Sequence, residues 1–373
     1  MRLPRMMVSR RPGSPLRITV CLLAFALCSA LPAAAQTGVI AFRDYCRGLL
    51  HVMRADGSGS TALQFPALPG PADEYVYRNP WVLDVTTNGP RLTVVYHVGI
   101  TRKGSFTLEE SSGLFAVEVS DVGGSLVSSD PRRLVLPPAM SFAHVSVHGA
   151  FSSHPERLAL AAGTGGTRYV FMTAAVDRDN QGSITGLSDF VVLGDLASLG
   201  QARPSIDYSS DGNSIVLSIS ADLYRLHLSA DYTMSDVAEL LTPNTDGFAE
   251  WNPSYSPDGS RVAYTVGSID GSGQVSTRSM QIALLNLTTR ASTPVTTKKN
   301  KGQAAYGFDD AMWSATGTAI GFSAYTGNPP RNSFCSALVN SEIFVINADG
   351  TGVASALTWT NGTRVEGLPQ WGW

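Results

Sequence analysis

Charge is scarce in this sequence, and cysteine is scarcer. Only 15% of the 373 residues are Asp, Glu, Lys or Arg, and the 27 basic residues do not outnumber the 30 acidic ones, leaving a net charge of -3. A dedicated nucleic-acid binder carries a basic excess, so that class is excluded. Low charge combined with 43% hydrophobic residues also excludes an intrinsically disordered chain. Beyond the N-terminal segment, no apolar run reaches the length of a membrane span. Also missing are a Gly-x-Ser-x-Gly elbow, a phosphate-binding glycine loop ending in Lys-Ser or Lys-Thr, and a His-Glu-x-x-His pair. Their absence removes the usual serine-esterase, nucleotide-binding and zinc-protease readings. What the chain has in quantity is turn formers, 36 Gly and 21 Pro, which predict short elements rather than long helices.

The first 35 residues read as a leader. Arg2, Arg5, Arg10, Arg11 and Arg17 make a basic region, Ile18 to Leu31 is apolar but too short to span, and Ala33-Ala34-Ala35 fits a small-residue cleavage site. The mature chain is expected to start at Gln36, in the periplasm or outside the cell. Losing five arginines makes it more acidic, which argues against adhesion to anionic phospholipid or DNA. Cys21 and Cys28 leave with the leader, so the four cysteines become two, Cys46 and Cys335, near opposite ends of the chain. In an oxidising compartment a lone pair is most simply a disulfide.

Repeats carry the strongest signal. Tyr208-SSDGNSIVLS, Tyr255-SPDGSRVAYT, Trp313-SATGTAIGFS, Phe151-SSHPERLALA and, more loosely, Val85-TTNGPRLTVV share one frame. An aromatic or apolar residue is followed by Ser or Thr, then a turn centred on Gly or Pro, then apolar residues at the eighth and tenth places. This predicts an inner strand, a tight turn and a second strand with one face in a core. The interval between copies suits a four-stranded propeller blade with extended loops. A sixth copy is split. The chain ends Leu368-Pro369-Gln370-Trp371, where the turn should begin, and the mature N-terminus opens with Val39-Ile40-Ala41-Phe42, the pattern that follows such a turn. The expectation is all-β: one six-bladed propeller over residues 36–373, closed by the C-terminal strand joining the N-terminal blade. Cys46 and Cys335 then fall in equivalent connections of the first and last blades, where a bond would reinforce closure.

Trp251-Asn252-Pro253-Ser254-Tyr255-Ser256-Pro257-Asp258-Gly259, followed by Arg261-Val262-Ala263-Tyr264, resembles the propeller repeats of the TolB family. So do Ile343-Phe344-Val345-Ile346-Asn347-Ala348-Asp349-Gly350-Thr351 and its second copy, His51-Val52-Met53-Arg54-Ala55-Asp56-Gly57-Ser58. The resemblance is strong from residue 200 onward and in the first blade, and weak between 66 and 200. It implies a six-bladed propeller of the periplasm or cell exterior, and specifies architecture more than chemistry. TolB-family proteins resemble an α/β domain followed by a propeller. Here the first blade starts within a few residues of the expected cleavage site, so a propeller without that domain, and without its Tol-Pal role, is expected.

Two sets of residues are candidates for binding. Asp177-Arg178-Asp179-Asn180-Gln181-Gly182-Ser183-Ile184-Thr185 matches the first part of a calcium loop, with oxygens from Asp177, Asp179, Gln181 and the Ser183 carbonyl. Its twelfth position is Ser188 rather than Glu. A solvated polar loop is therefore the favoured reading, with a structural calcium ion as the alternative and no other cofactor expected. The second set precedes the inner strands and so converges on the mouth of the central channel: Tyr77, Arg78, Arg203, Glu250, Trp251, Tyr306, Asp309, Asp310 and Arg364. Aromatics mixed with a few charges around one axis suit recognition of a peptide or a glycan. The function expected is a noncatalytic exported module, a monomer, that binds a cell-envelope protein or polymer through this face. The alternative is a polysaccharide lyase or hydrolase in which Glu250, Asp309 or Asp310 acts as acid or base and Arg78 or Arg203 neutralises a carboxylate.

Overall fold

The computed structural model describes residues 38–44, 47–88, 91–137, 147–153, 156–163, 168–197, 205–242, 247–271, 275–276, 279–296, 305–326, 340–358 and 366–371. Among them there is no α-helix. Blade one contains β1 (Val39–Asp44), β2 (Leu49–Arg54) and β3 (Thr61–Ala62). Blade two follows with β4 (Tyr75–Asn88), β5 (Arg91–Arg102), β6 (Gly113–Val122), β7 (Ser125–Ser128) and β8 (Arg132–Leu134). Blade three is β9 (Val147–Ser153), β10 (Glu156–Gly163), β11 (Arg168–Arg178) and β12 (Ile184–Ala197). Blade four is β13 (Ile206–Tyr208), β14 (Ser214–Ile219), β15 (Asp222–His227) and β16 (Glu239–Leu240). Blade five is β17 (Phe248–Tyr255), β18 (Arg261–Ser268), β19 (Gln281–Asn286) and β20 (Ser292–Pro294). Blade six is β21 (Ala305–Trp313), β22 (Ala319–Thr326), β23 (Asn340–Asn347) and β24 (Ser355–Ala356). The last strand, β25 (Glu366–Trp371), returns to blade one, whose sheet order is β25-β1-β2-β3.

These six antiparallel sheets form a six-bladed propeller. Closure is by backbone pairing between the two ends of the chain: Ile40 opposes Trp371, Ala41 opposes Gln370, Arg43 opposes Gly367 and Asp44 opposes Glu366. Each innermost strand approaches the next in an unbroken circuit, β25 to β4, β9, β13, β17, β21 and back to β25.

The turns show why the repeat frame has Ser in its second place. The Ser256 hydroxyl donates to Asp258 Oδ1 at 2.6 Å and accepts the Arg261 N–H at 2.9 Å. Ser209 repeats both bonds, with Asp211 and the Ser214 N–H, and Ser314 accepts from the Ala319 N–H at 3.0 Å. Gly259 sits at φ +67°, a left-handed conformation that a side chain disfavours.

The second strands depart from the expected pattern, since both of their faces are buried. Val262 and Tyr264 pack toward blade four while Ala263 between them packs toward blade six. Leu158 and Leu160 likewise face blade two, and Ala159 and Ala161 face blade four. The core is thus a set of layers between blades, so such a strand reads as a continuous apolar run. Blade two also differs from the simple four-strand plan. Its outer strand breaks into β7 and β8, both paired with β6, at Asp130-Pro131, where proline has no N–H for the ladder.

Candidate functional site at the mouth of the propeller

One backbone device recurs around the mouth. In four blades the inner strand carries an extra residue at an equivalent place, besides further single-residue steps at Val82–Asp84 in blade two and Ala305–Gly307 in blade six. The register steps are from Arg78 to Trp81, from Trp251 to Ser254 and from Asp309 to Met312. In blade one the step falls between Gly367 and Gln370, opposite Arg43 and Ala41. The bulged stretches contain Asn79-Pro80, Asn252-Pro253, Asp310-Ala311 and Leu368-Pro369. Proline is tolerated because a bulge leaves an N–H unpaired. Asn252 and Asp310 adopt φ of +49° and +57°, which Asn and Asp accept more readily than other side chains. Bulges re-aim neighbouring side chains. Three residues expected at the mouth, Arg78, Trp251 and Asp309, therefore hold equivalent positions, each just before a bulge.

The acids at the mouth are held by hydrogen bonds from within the protein. Asp309 Oδ1 accepts the Trp251 indole N–H at 2.8 Å, the Thr265 hydroxyl at 2.9 Å, the Asn252 amide at 3.2 Å and the Asp310 backbone N–H at 2.8 Å. Burial still pushes its carboxyl above the usual range. Asp310 accepts from Asn252 Nδ2 at 2.8 Å and from the Ser323 hydroxyl at 3.1 Å. The Asn252 backbone N–H turns the other way, to Ser205 Oγ in blade four at 2.8 Å, and that hydroxyl lies 2.8 Å from Ser218 Oγ. A polar chain thus runs across blades four, five and six. One layer deeper, half-buried Asp207 accepts the Tyr255 N–H of the next blade at 2.5 Å, and desolvation pushes its carboxyl up to about 7.

Glu250 differs in kind. It is 7% exposed and accepts one side-chain hydrogen bond, from Thr242 at 3.1 Å. Burial, helped by the nearby Asp222 charge, raises its carboxyl from 4.5 to about 7. The folded protein holds this proton more tightly than the unfolded chain does. Its stabilising contribution is therefore full below pH 4.5 and is lost as pH rises to about 7. Glu250→Gln, which fixes the neutral form, is expected to be more stable than wild type at pH 8 by about 2 kcal/mol and equal to it at pH 4.5. Urea titrations at both pH values check this, and an unchanged difference between them would refute the assignment.

The other expected residues divide. Tyr77 is half-buried and serves packing: its hydroxyl donates to the Pro66 carbonyl at 2.6 Å and its ring meets Phe65 edge-on. Arg78 donates Nε to Thr101 Oγ1 at 3.3 Å, and its guanidinium lies 5.8 Å from the centre of the Phe106 ring. Arg203, Arg364, Cys46 and Cys335 lie outside the described residues, and of Tyr306 and Trp371 only the backbone is described.

The Asp177–Ser183 stretch ends β11 and forms the tight turn into β12. Asp179 Oδ1 accepts the Gln181 and Ser183 N–H groups, both at 2.9 Å. Its own N–H donates to the Ser183 carbonyl at 3.0 Å, and Asp177 Oδ1 accepts the Ser188 hydroxyl at 2.6 Å. Among the described residues there is no cluster of three or more His, Cys, Asp or Glu able to hold a metal.

Sequence reasoning missed Asn252, Ser205, Thr242 and Phe106. Thr242 had a findable signal. It shares with Thr296 and Thr358 the place after the outer strand, where each hydroxyl accepts an N–H of the third strand, from Leu223, Ile282 and Ile343 at 2.9 Å. Phe106 had none, being a single aromatic in the β5–β6 connection.

No family model matches the chain, and no curated protein matches it. Solved structures do. TolB from Acinetobacter baumannii is 12% identical over 90% of this chain and 67% of its own, with a TM-score of 0.51. A TolB candidate from Agrobacterium tumefaciens is 14% identical over 90% of this chain and 98% of its own, with a TM-score of 0.47. A levansucrase variant of B. megaterium is 12% identical over 80% of this chain and 87% of its own, with a TM-score of 0.49. The chain is similar in fold to the TolB propeller. Identities this low carry the architecture and leave the chemistry to the residues.

Proposed function

We propose that this propeller is an exported, noncatalytic recognition module that binds a protein or an envelope polymer through its mouth. One observation carries the reading: aromatic side chains stand free at a mouth whose paired acids are already occupied. Phe106 is 82% exposed and Phe248 is 47% exposed, each in or next to a connection on the mouth face, and Arg78 lies against Phe106. An exposed aromatic beside a guanidinium is the kind of anchor that recognition surfaces use. Asp309 and Asp310 meanwhile accept their hydrogen bonds from Trp251, Thr265, Asn252 and Ser323. The leader pattern of residues 1–35 and the likeness in fold to TolB support an envelope location. The acidic mature chain supports partners other than nucleic acid, and no helix among the described residues is long and apolar enough to cross a membrane. A triple variant, Arg78→Ala with Phe106→Ser and Phe248→Ser, is expected to lose at least about tenfold in affinity for the envelope ligand captured by wild type. Its urea midpoint should be unchanged, because two of the three side chains are exposed. Undiminished capture by this variant would refute the mouth as the binding face.

A second reading rests on Glu250, whose carboxyl is raised to about 7 and could serve as the general acid of a polysaccharide hydrolase or lyase. Turnover of an envelope or plant polysaccharide by wild type, abolished in Glu250→Gln, would establish that reading against the first.

A further inference from the structure

On the face opposite the mouth, two guanidiniums share one carboxylate. Val216, Leu223 and Leu241 of blade four pack into the apolar layer shared with blade five. Side chains two places apart on a strand share a face. Arg225 and His227 on β15, and Glu239 opposite Arg225 on β16, therefore continue that side beyond the apolar layer, toward the short turns. From blade five, the β19–β20 turn brings Arg290 to the same carboxylate. Arg290 holds φ +60°, a left-handed conformation that Gly or Asn adopts at less cost, so the arginine occupies this turn against local strain.

Arg225 donates Nε to Glu239 Oε2 at 2.8 Å, and its Nη2 lies 2.6 Å from the same oxygen. Arg290 Nη2 pairs with Glu239 Oε1, and His227 Nε2 lies 3.5 Å from Oε2. Among the described residues, no second carboxylate pairs with either arginine. A guanidinium has five N–H donors, so most of those gathered here are unengaged. The neighbouring acids are held within their own turns. Asp211 accepts from Ser209 and Asn213, Asp231 from Ser229 and Thr233, and Asp236 from Ser235. Tyr232, next to Asp231, lies over Arg157 of blade three, so that turn leans away from blade five. Partial burial and the Arg225 charge both push the Arg290 guanidinium below its usual pKa. A second anion would relieve that repulsion.

We propose that this seam between blades four and five binds a phosphoryl group, as free phosphate or as a phosphate monoester, through the Arg225 and Arg290 guanidiniums with His227 as a further donor. A planar carboxylate is already present as Glu239 and leaves donors over. A phosphoryl group brings three acceptor oxygens and a charge of about −1.5 to −2 at pH 7. That suits two guanidinium forks arriving from different blades. Glu239 then acts as an internal competitor, which holds both arginines in place in the absence of ligand. The site lies opposite the mouth and stands independently of the function proposed for that face.

Calorimetry on the purified full chain tests the proposal, with inorganic phosphate, glucose 6-phosphate, glucose and sodium chloride as probes. Saturable binding is expected for phosphate and glucose 6-phosphate, and none for glucose or chloride. Phosphate binding at least as tightly as glucose 6-phosphate identifies the free anion as the ligand; tighter binding of glucose 6-phosphate identifies a monoester. Arg290→Gln should weaken phosphate binding by at least about tenfold. Glu239→Gln, which removes the competitor and one negative charge, should tighten it by about threefold. An ion-pair network with a purely structural role would give no such gain. Arg290 lies in an exposed turn, and exposed ion pairs contribute little to stability, so both variants should unfold within a few degrees of wild type. Glu239→Gln decides the matter if the arginine variant does not fold. The proposal is overturned by any of four results: no saturable heat with phosphate up to about 10 mM; glucose or chloride binding as tightly as phosphate; phosphate affinity unchanged in Arg290→Gln; or no gain in Glu239→Gln.

Discussion

A chain lacking residues 366–373 is expected to lose cooperative folding and to associate. β25 supplies the inner strand of blade one, and without it β1 loses its partner at Ile40, Ala41, Arg43 and Asp44. All six residues of β1 are buried, among them Ile40 and Phe42, which are essentially inaccessible. Fully exposing such a side chain costs about 1.5–3 kcal/mol. The lost ladder adds about 1 kcal/mol per hydrogen bond. Together these approach the total stability of an ordinary domain, about 5–15 kcal/mol. The exposed β1 edge would also template pairing with other chains. Far-UV circular dichroism through a urea titration, with size-exclusion chromatography, reads both effects. A monomeric variant that unfolds at the wild-type urea concentration would mean that the ring is held without its last strand.

Asp309→Ala is expected to destabilise the protein by about 2–3 kcal/mol, because it removes the shared acceptor of four donors, among them the fully buried Thr265 hydroxyl. The Trp251 indole, the Thr265 hydroxyl, the Asn252 amide and the Asp310 N–H all lose their acceptor together. Asp309→Asn keeps an acceptor oxygen in the same place and should cost about half as much. Asp231→Ala, in an exposed turn, serves as the control, with an expected loss of about 1 kcal/mol or less. Urea midpoints of the three variants against wild type make the measurement. This series separates the two functional readings, since an acid kept for chemistry could be removed with little loss of stability. An Asp309→Ala protein as stable as wild type would therefore restore Asp309 as a candidate catalytic group.

The contrast between fold and site has a physical origin in contact distance along the chain. The blade count could be read from Tyr255 and Trp313 because the turn that follows each closes within a few residues, as Ser256 does with Asp258 and Arg261. The split blade was legible for the same reason, since Ile40 and Trp371 each carry a fragment of that local frame. The mouth is built from pairs on successive blades, such as Trp251 with Asp309, 58 positions apart. Nothing local to either residue names its partner. Glu250, Trp251, Asp309 and Asp310 lie on the inner strands β17 and β21 of adjacent blades. What could not be read was that Trp251 and Asp309 satisfy each other. The bulges were hidden too, because Asn-Pro reads equally well as a loop, and only the opposing strand reveals the extra residue. The two-sided burial of the second strands escaped because Ala263, between Val262 and Tyr264, is too small to announce a second packed face.

The register of β25 against β1 leaves the covalent backbone interrupted at the inner turn that blades four, five and six bridge with a Ser-led loop. The circuit of sheets itself has no preferred origin. A short linker of Ser-Pro-Asp-Gly composition between Trp371 and Gly38 would complete blade one in the manner of blade five. New termini could then be opened at the loop after Tyr255, giving a circular permutant with the same pairings and a seam moved to another blade.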